Sequence, residues 1–268
     1  MKKSLFYLSL IFFSAAVFFT ACKKSDNAKN LEQDVMTSED LAESEDFDQQ
    51  LDFDADIAIE ERGGTATCPV VTMDQPYGTW PNTITVDFGT GCDFNGRHFT
   101  GKIIISQTAD ILSAGAVRTR TFDGFSVDDI QIEGTKTWTN NGLNADGNWS
   151  YTKTATGMKH TFSDGTSRSW NANHTSVLFE GTATPTHWDN AWSTTGSASG
   201  VNRAGQAYTA TITEPLIKRA TCRWISQGVV EFTRDDRSAT LDYGDGSCDR
   251  FGTLTTDNGN TVTIRLRQ

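Results

Sequence analysis

Side chains that do local chemistry are scarce in this chain. Its four histidines, His98, His160, His174 and His187, lie far apart, with no His-Glu-x-x-His and no cysteine or carboxylate at zinc-ligand spacing beside them. That excludes a metal centre written into a short motif. No glycine-rich loop follows a strand pattern and opens a helix, so nucleotide binding lacks its usual phosphate cradle and no cofactor is expected. Gly196-Ser197-Ala198-Ser199-Gly200 misses the nucleophile elbow by one position, and Ser150-Tyr151-Thr152-Lys153 has Ser-x-x-Lys spacing without the companion motifs of penicillin-binding proteins. Neither is assigned catalysis. Positive charge is missing as well: residues 62–268 carry twenty acids against eighteen bases, giving -2, and such a neutral body has no field to attract a nucleic acid.

What is present begins with an address. Lys2 and Lys3 precede an apolar run over residues 5–19, short for a bilayer span but suited to the h-region of a secretory signal. Phe19-Thr20-Ala21-Cys22 resembles the lipobox of bacterial lipoproteins. Phe19 stands where leucine or another aliphatic is usual, a departure found among lipoproteins of the Bacteroidota. The resemblance implies a signal peptide over residues 1–21, cleavage before Cys22 and lipid on Cys22, whose acyl chains would hold the protein at the outer membrane. An ordinary secretory signal or an uncleaved anchor are the alternatives. Lys23-Lys24-Ser25-Asp26 resembles the charged export signals that send some of these lipoproteins to the cell surface, and the periplasmic and outward sides both stay open.

The negative charge of the chain is concentrated in the segment after this leader. Residues 26–61 hold fourteen acids against Lys29, giving -13, with scattered apolar positions at Leu31, Val35, Met36, Leu41, Phe47 and Leu51 that fit neither helical nor strand periodicity. Like-charge repulsion and little burial predict a flexible acidic tether over residues 22–63. An acidic arm that folds on a basic partner is the functional alternative, and a short helix over residues 38–48 suits either.

Residues 64–268 read as one all-β domain, since apolar and polar residues alternate. Ile84, Val86 and Phe88 face one way, and Thr83, Thr85 and Asp87 the other. Asp123-Gly124, Asn141-Gly142, Asp146-Gly147, Asp164-Gly165 and Asn258-Gly259 are turn dipeptides that predict hairpins between sequence neighbours. The expectation is an antiparallel meander of roughly twelve to fourteen strands, with long ones over residues 125–139 and 167–180. A large twisted sheet, an open barrel or a sandwich would each accommodate them.

After Cys22, four cysteines remain in a chain bound for an oxidising compartment, and two disulfides are expected. The cysteines sit in two similar units, near residues 68–106 and 222–266. Cys68 leads to Asp87-Phe88-Gly89-Thr90-Gly91-Cys92, and Cys222 leads to Asp242-Tyr243-Gly244-Asp245-Gly246-Ser247-Cys248. The repeat favours Cys68 with Cys92 and Cys222 with Cys248, each loop contributing about 3 kcal/mol by chain entropy; crossed pairing stays open. The glycines mark sharp turns or bulges. A calcium site at Asp242, Asp245 and Asp249 is the sharper reading. Over five residues the element also resembles the signature of PKD-type immunoglobulin-like modules.

The whole arrangement, from Cys22 through the acidic segment to Asp87-Phe88-Gly89-Thr90-Gly91-Cys92, Gly101-Lys102-Ile103-Ile104-Ile105 and the terminal Asp-Tyr-Gly-Asp-Gly-Ser-Cys-Asp unit, looks like a group of lipoproteins from Bacteroidota. It implies a lipid-anchored envelope location and no particular activity. Five of the seven tryptophans, Trp138, Trp149, Trp170, Trp188 and Trp192, crowd one stretch of sequence; they suit either sheet packing or a surface that grips a glycan or an envelope protein. The expected function is a non-enzymatic binding or structural module on a lipid anchor. The alternative is a polysaccharide-active hydrolase using paired carboxylates, with Asp123, Asp128, Asp129 and Glu133 as candidates.

Overall fold

A computed structural model describes residues 19–61, 67–182 and 188–266, with side chains from residue 28 onward except Asp48. The leader before Phe19 and His187 lie outside the described residues. One helix, α1 (Phe19–Glu60), precedes fourteen strands. These are β1 (Val70–Met73), β2 (Asn82–Asp87), β3 (Cys92–Phe94), β4 (Arg97–Gln107), β5 (Val117–Val127), β6 (Ile130–Leu143) and β7 (Trp149–Thr161). They continue as β8 (Ser167–Glu180), β9 (Ala191–Val201), β10 (Ala207–Arg219), β11 (Gln227–Arg234), β12 (Arg237–Asp245), β13 (Phe251–Thr256) and β14 (Thr261–Arg265). All pair antiparallel in one sheet, in sequence order except that β3 pairs with β4 beside the main path. The meander predicted from alternation is thus a single large twisted sheet whose ends, β1 and β14, do not meet.

Burial follows the alternation: Ile84 and Val86 of β2 are buried while Thr83 and Thr85, which alternate with them, are half-buried. Three expectations change in detail. Residues 125–139 are not one strand, because Asp128 and Asp129, both at positive φ (48° and 67°), make a tight turn between β5 and β6. Aspartate tolerates that conformation, and the Asp128 carboxylate is held by the Arg97 guanidinium (3.1 Å) and the His98 amide (2.9 Å). Asp123-Gly124 lies inside β5 and Asn141-Gly142 inside β6, both at register shifts, so they bend strands instead of ending them. Gly134 shows why such positions need glycine. It sits at a register shift with φ 121°, and a Cβ there would stand 2.7 Å from the Met158 Cα. Bulges of this kind kink and twist a strand, and repeated across neighbours they curl the sheet into a trough.

The trough is filled by α1, which corrects the largest expectation. The acidic segment is not a flexible tether beside an independent β domain; it is a helix docked against the curled sheet. Leu41 and Ala42 pack with β10 to β14 in one core, while Phe47, Leu51, Ala55, Ala58 and Ile59 pack with β2 and β4 to β8 in another. Basic side chains at inward positions of the strands meet its carboxylates. In helix order, Asp34 pairs with Arg234, Asp40 with Arg203, Glu43 with Arg168, Asp46 with Lys218, Asp52 with Arg120 and Lys136, and Asp56 with Arg118. The ladder thus starts on β11 at the N-terminal part of the helix, passes cations of the β9–β10 connection, β8 and β10, and ends on β5 and β6. Buried charges are costly unless paired and hydrogen-bonded, so this ladder fixes the helix in one register. The arm that folds on a basic partner has that partner in its own chain.

Candidate functional site

Toward its C-terminal end α1 does not fill the trough completely. There Trp138 of β6, Trp149, Tyr151 and Lys153 of β7, Leu178 of β8 and Trp192 of β9 face Phe53, Asp56 and Ile59 of the helix across a cavity of about 410 Å³. Antiparallel neighbours bring these residues together: Trp138 is paired in register with Lys153, and Leu178 with both Trp149 and Trp192. The rings of Trp138, Tyr151 and Trp192 form a triangle with centroids 5.5 to 6.0 Å apart. The Lys153 ammonium lies in that triangle, 3.7 Å from the centre of the Trp138 ring and 4.4 Å from that of Trp192. Loops form the mouth: Tyr77 and Trp80 come from the β1–β2 connection and Leu112 from the β4–β5 connection. Tyr77 and Leu112 are exposed, as is Trp188, whose ring packs edge-on against Phe53 at 5.0 Å. The exposed lining is mixed, with Glu60, Asp110 and Thr182 beside Tyr77 and Leu112, around an aromatic interior.

The polar groups on the wall are mostly engaged. Arg118 holds Asp56 at 2.8 Å and Gln107 at 2.6 Å, and Lys218 holds Asp46 at 3.1 Å. Burial pushes the Tyr151 phenol up to about 12, so it stays protonated. Burial, followed by the like charges of Lys136 and Arg120, holds the Lys153 ammonium well below an ordinary lysine. A hollow large enough for a water molecule adjoins the cavity, shares Gln49, Asp52 and Lys153 with it, and reaches His174 and Ser176.

The structure divides the tryptophan group. Trp138, Trp149 and Trp192 line the cavity and Trp188 stands against Phe53 of its wall. Trp170 is buried, edge-on to His160 at 4.7 Å, and lines the adjoining small hollow instead of the cavity. His160 accepts from the Arg168 guanidinium at 2.9 Å, and burial with the Arg168 charge pushes its pKa well below the usual histidine value. Cys22 falls in the first turns of α1. Disulfides join Cys68 to Cys92 and Cys222 to Cys248. The calcium reading gains nothing: Asp242, Asp245 and Asp249 each accept a backbone amide two residues on, and no metal-binding group of three forms among the described residues. Asp123, Asp128, Asp129 and Glu133 are all exposed and away from the cavity, and Glu133 faces Lys159 at 3.7 Å.

Sequence reasoning missed Lys153, the helix contribution and the basic lining. A signal was available. Arg97 and Phe99, Lys136 and Trp138, Arg168 and Trp170, and Phe232 and Arg234 each sit two residues apart and are buried together. In a strand that spacing puts both on one face, so a cation two places from a core aromatic asks for a buried anion.

No family model, curated protein or solved structure matches this chain.

Proposed function

We propose that this chain is a non-enzymatic, lipid-anchored envelope protein of the outer membrane that binds a small molecule in the aromatic cavity between α1 and the sheet. The observation that carries the reading is the enclosure itself: Phe53, Trp138, Trp149, Tyr151 and Trp192 wall a space of about 410 Å³. Pockets for small ligands have this character, largely apolar with a few placed polar groups. Aromatic rings offer large contact area with little rotamer entropy to lose. The anchor reading rests on Lys2, Lys3, the apolar run and Phe19-Thr20-Ala21-Cys22.

The test is extraction. Protein purified from an envelope fraction is washed, unfolded in organic solvent, and the released small molecules are identified by mass spectrometry. A stoichiometric compound is expected from the wild type and not from Leu178→Trp, in which a larger ring replaces a buried side chain of the wall. A wild type that carries nothing, and takes up nothing from a whole-envelope lipid and metabolite extract, overturns the reading.

A further inference from the structure

Among the charged residues of the cavity wall, Lys153 is set apart. Arg118 is matched by Asp56, Lys218 by Asp46 and Arg219 by Glu180. Among the described residues no carboxylate lies within ion-pair distance of Lys153, and its ammonium rests only on the faces of Trp138 and Trp192. A ring face attracts a cation but does not neutralise it. From this we infer that the cavity takes an amphiphile with one anionic head group, seated on Lys153, and an apolar or flat body among the aromatic side chains; the inference rests on the cavity being a binding site.

Three features select that class over its neighbours. A ligand ammonium on Trp138 or Trp192 would meet the like charge of Lys153, which already covers those faces, so a cationic head is disfavoured there. A doubly charged head is disfavoured because Asp52 and Asp56 also line the space. A single carboxylate or sulfonate meets Lys153, whose surroundings set Lys136 and Arg120 against Glu45, Asp52 and Asp56 and leave the Lys153 ammonium, among the described residues, as the cation without an ion-pair partner. The rest of the ligand meets Trp149, Leu178, Ile59 and the exposed Tyr77 and Leu112 at the mouth, which fits a body of drug-like size.

A matched pair of dyes tests this on the full chain. 8-Anilinonaphthalene-1-sulfonate and N-phenyl-1-naphthylamine share one aromatic body and differ by the sulfonate. The wild type is expected to bind both saturably, with energy transfer from tryptophan, and the sulfonate at least tenfold more tightly. Lys153→Met should abolish that preference while leaving the neutral dye within about twofold, and Lys153→Arg should keep it. Where Lys153→Met does not fold, the pH profile of the wild type serves. Sulfonate binding alone should weaken as rising pH removes the Lys153 proton, which burial makes easier to lose than that of an ordinary lysine, with Tyr151 still protonated. Equal binding of the two dyes, or equal loss of both in a folded Lys153→Met, overturns the anion seat and leaves the cavity reading standing. A wild type that binds neither dye removes the cavity reading, and the inference with it.

Discussion

Asp34 of the helix and Arg234 at the end of β11 are separated by two hundred residues, yet their side chains meet at 2.7 Å, both almost wholly shut from solvent. The guanidinium also reaches Asp235 at 2.7 Å and Gln33 at 3.2 Å, so the pair clamps the N-terminal part of α1 onto a hairpin. Arg234→Met would leave a buried carboxylate with only Arg237, 3.6 Å away. The expected cost is about 3 kcal/mol in denaturant unfolding, the usual penalty for removing one partner of a buried pair. A glutamate-specific protease reports the same event locally. Glu32, Glu39 and Glu43 should resist cleavage in the wild type and be cut early in the variant. Rapid cleavage of the wild type at those sites would mean that the segment is not docked.

His160 makes stability depend on pH in a predictable direction. Its ring is buried between Phe47 and Trp170, and Nδ1 accepts from Arg168, which itself pairs with Glu43. Burial, then the Arg168 charge, keeps the folded imidazole neutral well below the usual histidine pKa. In the unfolded chain the ring takes a proton near pH 6.5, so the unfolded state binds more protons below that point. Stability is therefore full above about 6.5 and falls by about 1.4 kcal/mol for each pH unit below it, down to the folded pKa. Asp46 and Asp54, whose carboxyls burial pushes up, act in the opposite sense. The comparison with His160→Gln, whose amide oxygen still accepts from Arg168, isolates the histidine. Melting temperatures between pH 7.5 and 5.5 should fall less for the variant than for the wild type.

The strands were legible because the sheet has one dry and one wet face, and Ile84, Val86 and Phe88 state that in three alternate positions. The helix was not legible because the trough surrounds it. Asp34, Leu41, Asp46, Phe47, Leu51 and Asp54 are all buried, and they do not fall on one stripe. A periodicity test looks for a single apolar stripe, and a charge rule assigns carboxylates to solvent. Both fail when each acid has a cation more than sixty residues away in sequence, as Asp52 has in Arg120. The cavity was half visible: the tryptophan cluster was evident, but neither Phe53 nor the seat of Lys153 can be placed until the helix is.

Curvature of the trough should depend on its glycine bulges. Gly134 has a backbone conformation that side chains rarely adopt, and the space a Cβ would occupy is taken by Met158 and Gly157 of β7. Gly134→Ala must strain the backbone or push β6 and β7 apart, and strain of this kind costs about 1–3 kcal/mol. Gly147→Ala is a useful contrast, since its φ is also positive but no atom stands within 4 Å of the added methyl. Denaturant midpoints should fall further for Gly134→Ala. Because Met158 belongs to the core that holds the C-terminal half of α1, protection of helix amides in hydrogen exchange should fall too.

Acylation at Cys22 is the prediction that ties the fold to the membrane. Growth with an alkyne-tagged fatty acid should label the protein in its host, and Cys22→Ser should abolish the label and release the chain from the membrane fraction. The four other cysteines are paired in disulfides and give no competing thiol. The helix adds a second expectation. Only twelve residues separate Cys22 from Asp34, the start of the ion-pair ladder, and at the helical rise they span about 18 Å. A flexible spacer of the same length would sample every separation up to about 40 Å, whereas a helix would fix the distance from an acylated Cys22. Replacing residues 23–30 with a glycine-serine stretch of equal length should leave acylation and the Asp34–Arg234 clamp intact. Fluorescence transfer from a membrane dye to a label on the sheet should then broaden. An unchanged distance distribution would mean that the helix does not set how the domain stands on the membrane.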